Sequence, residues 1–195
     1  MKRTISMFTQ IKFRLNSFRR DSKGIAAVEF AITVPVLFLI VAATCNFGSI
    51  IYAKYNMEKS LSAASNYVLI NSSLVSSSTS DALALNIANI VSHTGNSSVS
   101  ADVLINNGSA ASVGLDGTVS TSGTASIVDS CYCPNASGGS LTWGSSMTCG
   151  GGCPDGSTAG RFVQITITTA YAPIIPITGM ASSSSIRSTT LVRTL

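Results

Sequence analysis

At 195 residues, the chain has room for one domain of ordinary size beyond any membrane segment. Only 10% of its residues are charged and 45% are hydrophobic, and its net charge of +4 is unevenly placed. Residues 1–24 hold seven of the twelve basic residues against one acid, Asp21. The rest, with five basic and seven acidic side chains, is net acidic. That balance argues against nucleic acid as a partner.

In the first 24 residues Ile5, Phe8, Ile11, Leu15 and Phe18 fall at helical spacing among Lys and Arg. The pattern predicts a basic amphipathic helix suited to an anionic lipid surface. A mitochondrial presequence has the same acid-poor, basic character and is an alternative. A cleavable secretory signal fits less well, because its apolar core is about 7–15 residues and the run that follows here is longer.

That run is GIAAVEFAITVPVLFLIVAATCNFGSIIYA, residues 24–53, with Glu29 its one charge. The apolar stretch Phe30–Ile51 is long enough to cross a bilayer as a helix. Basic residues before it keep the preceding segment in the cytoplasm and send the remainder across, in keeping with the absence of Lys and Arg between Lys59 and Arg161. Three features exceed what an anchor needs: Gly24 at the boundary, Glu29 five residues on, and Pro35 inside the run. A carboxylate in a membrane helix is costly and is by default functional. Proline there removes a backbone hydrogen bond, either as a tolerated kink or as a functional one. Cys45 reads as a small buried hydrophobe.

Gly24, Ile25-Ala26-Ala27-Val28, Glu29, Phe30 and Pro35 together resemble the processing site and first helix of the TadE-like pseudopilins of bacterial tight-adherence (Flp-type) pilus systems. The resemblance implies cleavage after Gly24 by a prepilin peptidase, so that Ile25 begins the mature chain and Glu29 is its fifth residue. It implies helix assembly through Glu29, Phe30 and Pro35, with other pilins or pseudopilins, an inner-membrane assembly platform and membrane lipid as partners. Phe30 stands where major Flp pilins carry tyrosine, and the length also favours a minor pseudopilin. The implied location is the bacterial inner membrane, single-pass, with the C-terminal domain periplasmic or carried into a pilus. An uncut single-pass anchor bearing an extracytoplasmic binding or adhesion module is the alternative.

Beyond the bilayer, Met57, Leu61, Ala64 and Val68 keep one apolar stripe while Lys54, Glu58 and Lys59 mark the exit into water. A helix from Ile25 to about Ile70 spans roughly 70 Å. Residues 71–80 read as a serine-rich linker. Asp81 is a candidate cap for a second helix, with Leu83, Ile87 and Ile90 or Val91 on one face and an end near Gly95. His93, the lone histidine, sits at that helix's C-terminal turn, where it suits the dipole better than catalysis.

From residue 98 the texture turns to short β-branched runs. Val99–Ile105 predicts a strand, Asn107-Gly108 and Asp116-Gly117 predict turns, and Ala125–Asp129 leads a further strand. Arg161–Tyr171 alternates best, closed by Pro173 and Pro176, and a last strand near Ser185–Arg193 can pair with it across a turn at Gly179.

Four of the five cysteines form two close pairs, Cys131/Cys133 and Cys149/Cys153. In an oxidising compartment an even count reads as two disulfides. Cys131 and Cys133 lie too far apart along a strand to bridge each other, so pairing to Cys149 and Cys153 is favoured, in either connectivity. The rival is a zinc site, whose usual spacing puts two residues between ligands where this sequence has one and three. The Gly150–Cys153 run lacks the Lys-Ser or Lys-Thr of a nucleotide loop, and no cofactor or catalytic constellation is visible. The reading is therefore a non-enzymatic structural protein of α+β class. It comprises a basic cytoplasmic leader (1–24), a transmembrane helix (25–53), a helical extension with a second helix (54–95) and a β-rich, disulfide-braced extracytoplasmic domain (96–195).

Overall fold

The computed structural model describes residues 24–93, 99–137, 140–173 and 184–195. The leader helix, the helix end near Gly95, and the turn at Pro176–Gly179 lie outside the described residues.

One helix, α1, runs unbroken from Ile25 to Ile70 with Pro35 inside it. A second, α2 (Ser80–His93), follows a short 3-10 turn at Ser72–Leu74. Five strands form an antiparallel sheet: β1 (Val99–Ile105), β2 (Ala110–Val113), β3 (Val119–Ser122), β6 (Phe162–Tyr171) and β7 (Ser184–Arg193). Their order is β3-β2-β1-β6-β7. Between β3 and β6 a two-stranded hairpin, β4 (Asn135–Ser137) and β5 (Ser140–Thr142), stands apart from the main sheet. The class is α+β.

The main sheet is polar on one face and apolar on the other, because side chains alternate along each strand. On the helix-facing side Ala101, Val103 and Ile105 of β1 stand opposite Ile167, Ile165 and Val163 of β6. All six are buried. They share one core with Met57, Leu61, Ala64 and Val68 of α1 and with Leu83, Ala84, Ile87, Ala88 and Val91 of α2. The α1 stripe expected at 57–68 is thus the face that packs, and in α2 it is Val91 that faces the core while Ile90 is half-buried. Each fully buried Ile or Leu contributes about 1.5–3 kcal/mol of transfer free energy.

Three local expectations are corrected. Asp81 does not cap α2; it lies exposed inside the first turn. The chain turns earlier, where the Thr79 and Ser80 amides donate to the Ser76 carbonyl. The β1–β2 turn sits one residue before Asn107-Gly108. Asn106 and Asn107 both take positive φ (47° and 59°), and the Gly108 amide closes onto the Ile105 carbonyl at 2.8 Å. Asparagine tolerates that region, so the pair replaces the expected Asn-Gly. Finally, Ala125–Asp129 is no strand: Ala125–Ile127 is a 3-10 turn that leads Val128 into the core. The buried Asn106 amide holds that turn by donating to the Val128 and Ser130 carbonyls at 2.6 and 2.5 Å. A β ladder there would compete for those same carbonyls.

Candidate functional site

The chain presents two regions with functional character, the N-terminal half of α1 and the cysteine segment. In the first, Gly24 immediately precedes α1, and a Cβ added there meets no described atom within 4 Å. Ile25, Val28, Phe30, Ile32, Phe38 and Phe47 are 57–70% exposed. So much bare apolar surface is intolerable in water and ordinary in lipid. By length and composition α1 can cross a membrane. Pro35 removes the amide that would bond the Ala31 carbonyl, one turn earlier. The Thr33 hydroxyl donates to the Glu29 carbonyl, an added local bond on the same turn. Glu29 itself is exposed, and no ion pair holds its carboxylate among the described residues.

The second region is a small module of its own. Cys131 bridges Cys149 and Cys133 bridges Cys153, with Cα–Cα distances of 5.0 and 5.7 Å. The two loops interleave, and each bridge stabilises by about 3 kcal/mol through lost denatured-state entropy in the chain-entropy view. All four sulfurs are consumed, so no thiolate remains for the zinc alternative. Cys131, Cys153 and Ala159 form a small core beneath the loops. Tyr132 and Trp143 meet edge-on, centroids 5.9 Å apart. Tyr132 exchanges backbone hydrogen bonds with Gly160, at 2.9 and 3.1 Å, which ties the module to the entry of β6. Cys45 is the free cysteine of α1; expected as a small buried hydrophobe, it lies exposed on the helix surface within the apolar run.

Arg161 fastens this end of the molecule. Its guanidinium donates to the Val75 and Asp129 carbonyls at 2.8 Å each and lies 3.5 Å from the Asp129 carboxylate. Asp116 and Asp155 each organise an exposed turn. Each carboxylate accepts from the hydroxyl and the amide two residues on, Thr118 and Ser157 respectively. Those side-chain hydroxyl bonds, then the backbone bonds, lower both carboxyl pKa values below the ordinary 3.8. His93 bonds the Asn89 carbonyl through Nδ1 at 2.8 Å, a C-terminal helix contact. Sequence reasoning missed Asn106, because its role depends on carbonyls more than twenty residues away.

The fold and these two regions define a class: a helix able to span a membrane, carrying a disulfide-bridged α+β domain. Residues 24–65 match the family model of TadE-like proteins, so over this segment the chain is similar to that family. With the apolar helix, the match points to a membrane-anchored protein associated with Tad pili. The matched part starts at Gly24 and ends within α1, leaving α2 and the sheet outside it. No curated protein matches the chain, and no solved structure matches it.

Proposed function

We propose that the chain is a minor pilin-like structural component of a tight-adherence pilus system. It is processed after Gly24, inserted through the N-terminal half of α1, and displays its disulfide-braced domain outside the cytoplasm. The observation that carries this reading is the TadE-like match, whose first residue is Gly24, the residue at the boundary between the basic segment and the apolar helix. Cleavage there creates an amine at Ile25, positive at neutral pH with an unperturbed pKa near about 8. Glu29 lies one helical turn on, so its carboxylate has a partner in its own chain or, at the same depth, in a neighbouring subunit. Either pairing offsets the cost of a carboxylate in lipid, roughly a few kcal/mol.

Intact-mass measurement on protein from its native membrane tests the reading. The wild-type chain is expected to lose about 2.9 kDa and to begin at Ile25, as removal of a leader requires. Gly24→Leu is expected to stay uncut. Since nothing described crowds a Cβ at Gly24, a block reflects the peptidase's need for a bare backbone and not misfolding. Uncut wild-type protein, inserted in a cell with an active prepilin peptidase, overturns the proposal.

A further inference from the structure

The domain carries a second set of features that points toward lipid. Its β6 strand ends at Tyr171, whose hydroxyl lies 3.0 Å from the Ser49 hydroxyl of α1. Four residues earlier on β6, Ile167 pairs with Ser188 of β7, and the Ser188 hydroxyl donates to the Glu58 carboxylate of α1 at 2.6 Å. Nine helical residues rise about 14 Å, and four strand residues span about 13 Å. The two contacts therefore agree: β6 and β7 run alongside α1 from position 58 down to position 49. Position 49 falls inside the apolar run that ends at Ile51. From Phe162 to Ile186 the sequence has no charged residue.

On the outward face of α1, at nearly the same height, Tyr52 and Tyr55 are 69% and 57% exposed. Lys54 and Lys59 are exposed beside them, with the Lys59 ammonium 4.3 Å from the Tyr55 ring centre. Tyrosine favours the boundary between hydrocarbon and water, and lysine reaches from it to phosphate. We infer that Tyr171, Tyr52 and Tyr55 form a collar that seats the β6–β7 end of the domain in the headgroup layer of the bilayer, with Lys54 and Lys59 facing anionic lipid phosphates. The disulfide module, at the Phe162–Arg193 end of the same strand pair, then lies about 30 Å from the collar along those strands.

This inference rests on the reading that residues 25–51 cross the bilayer, and the test separates the two. The full chain is reconstituted in phosphatidylcholine–phosphatidylglycerol vesicles containing brominated phosphatidylcholine. Trp143, the only tryptophan, stays in place and its signal is subtracted. Ala172→Trp, at an exposed position just past β6, reports on the collar without disturbing packing, and Phe47→Trp reports on the span. The expected result is that the indole added by Ala172→Trp is quenched at least threefold more strongly than Trp143, with a blue-shifted emission. If the indole added by Phe47→Trp is quenched while the one at position 172 is quenched no more than Trp143, the collar is overturned and the span stands. If the indole at position 47 is not quenched, the spanning reading falls and the collar with it.

Discussion

The two halves of α1 obey the same helical geometry and answer to different surroundings. In residues 25–47 the apolar side chains point all round, and Phe30, Ile32 and Phe38 stay about 70% exposed. In residues 57–68 the apolar residues keep to one stripe, and Met57, Leu61, Ala64 and Val68 are 0–4% exposed. A helix apolar on every side suits a solvent that is itself apolar, whereas a single stripe suits a protein core on one side and water on the other. The distribution of apolar residues around the helix, more than their number, separates the half suited to lipid from the half that packs on its own domain.

The largest expected effect breaks the first half at its one charge. Glu29→Gln keeps the size and removes the charge. The variant is expected to be cleaved and inserted like wild type, yet to fail to form pili or to co-purify with partner pilins. Wild-type assembly by Glu29→Gln contradicts a pairing role. A milder perturbation sharpens the contrast. Leu61→Ala, in the core, is expected to cost about 2–5 kcal/mol of domain stability, read as a lower denaturation midpoint in detergent. Phe38→Ala, on the bare half, is expected to leave that midpoint unchanged. Equal losses for the two contradict the division of α1.

The smallest effect concerns the exposed turns. Asp116 and Asp155 are held as carboxylates in the folded chain, their pKa values lowered by Thr118 and Ser157. A lowered folded pKa contributes stability that is present above the unfolded value, near about 3.9, and lost as pH falls through the folded one. The Tm of the domain is therefore expected to be flat from neutral pH to about pH 5 and to fall below about pH 4. Asp116→Asn should make that fall shallower. An identical acid profile for wild type and variant contradicts the assignment.

Much of this architecture was legible in the sequence where one physical signal dominates. The reach of α1 to Ile70 follows from an apolar run passing into a 57-61-64-68 stripe. The alternation of Val163, Ile165 and Ile167 gives β6, and β7 pairs with it through ten residues. The cysteine pairs marked the braced module, while the spacing left open which partner each takes; the fold joins 131 to 149 and 133 to 153. Less was legible where the decisive interaction is remote. Ala125–Asp129 has strand composition, yet Asn106 and Arg161 take its carbonyls and turn it. The β4–β5 hairpin, only three residues a side, lies between the disulfide cysteines in a Ser/Gly-rich stretch with no alternating pattern to mark it. Gly123 is similar: its φ of +93° and a backbone approach that leaves no room for a Cβ arise from the β3 exit crossing Gly108.

The central claim, that the first half of α1 is surrounded by lipid and the second by water and its own domain, has a direct probe in Cys45. Its thiol is free and exposed on the helix surface, within the apolar run. In intact membranes a membrane-impermeant maleimide is expected to leave Cys45 unmodified from either side and to modify it once detergent dissolves the bilayer. A cysteine introduced by Ser62→Cys, exposed on the second half, should react in intact membranes from the extracytoplasmic side alone. Ready labelling of Cys45 without detergent would contradict the account.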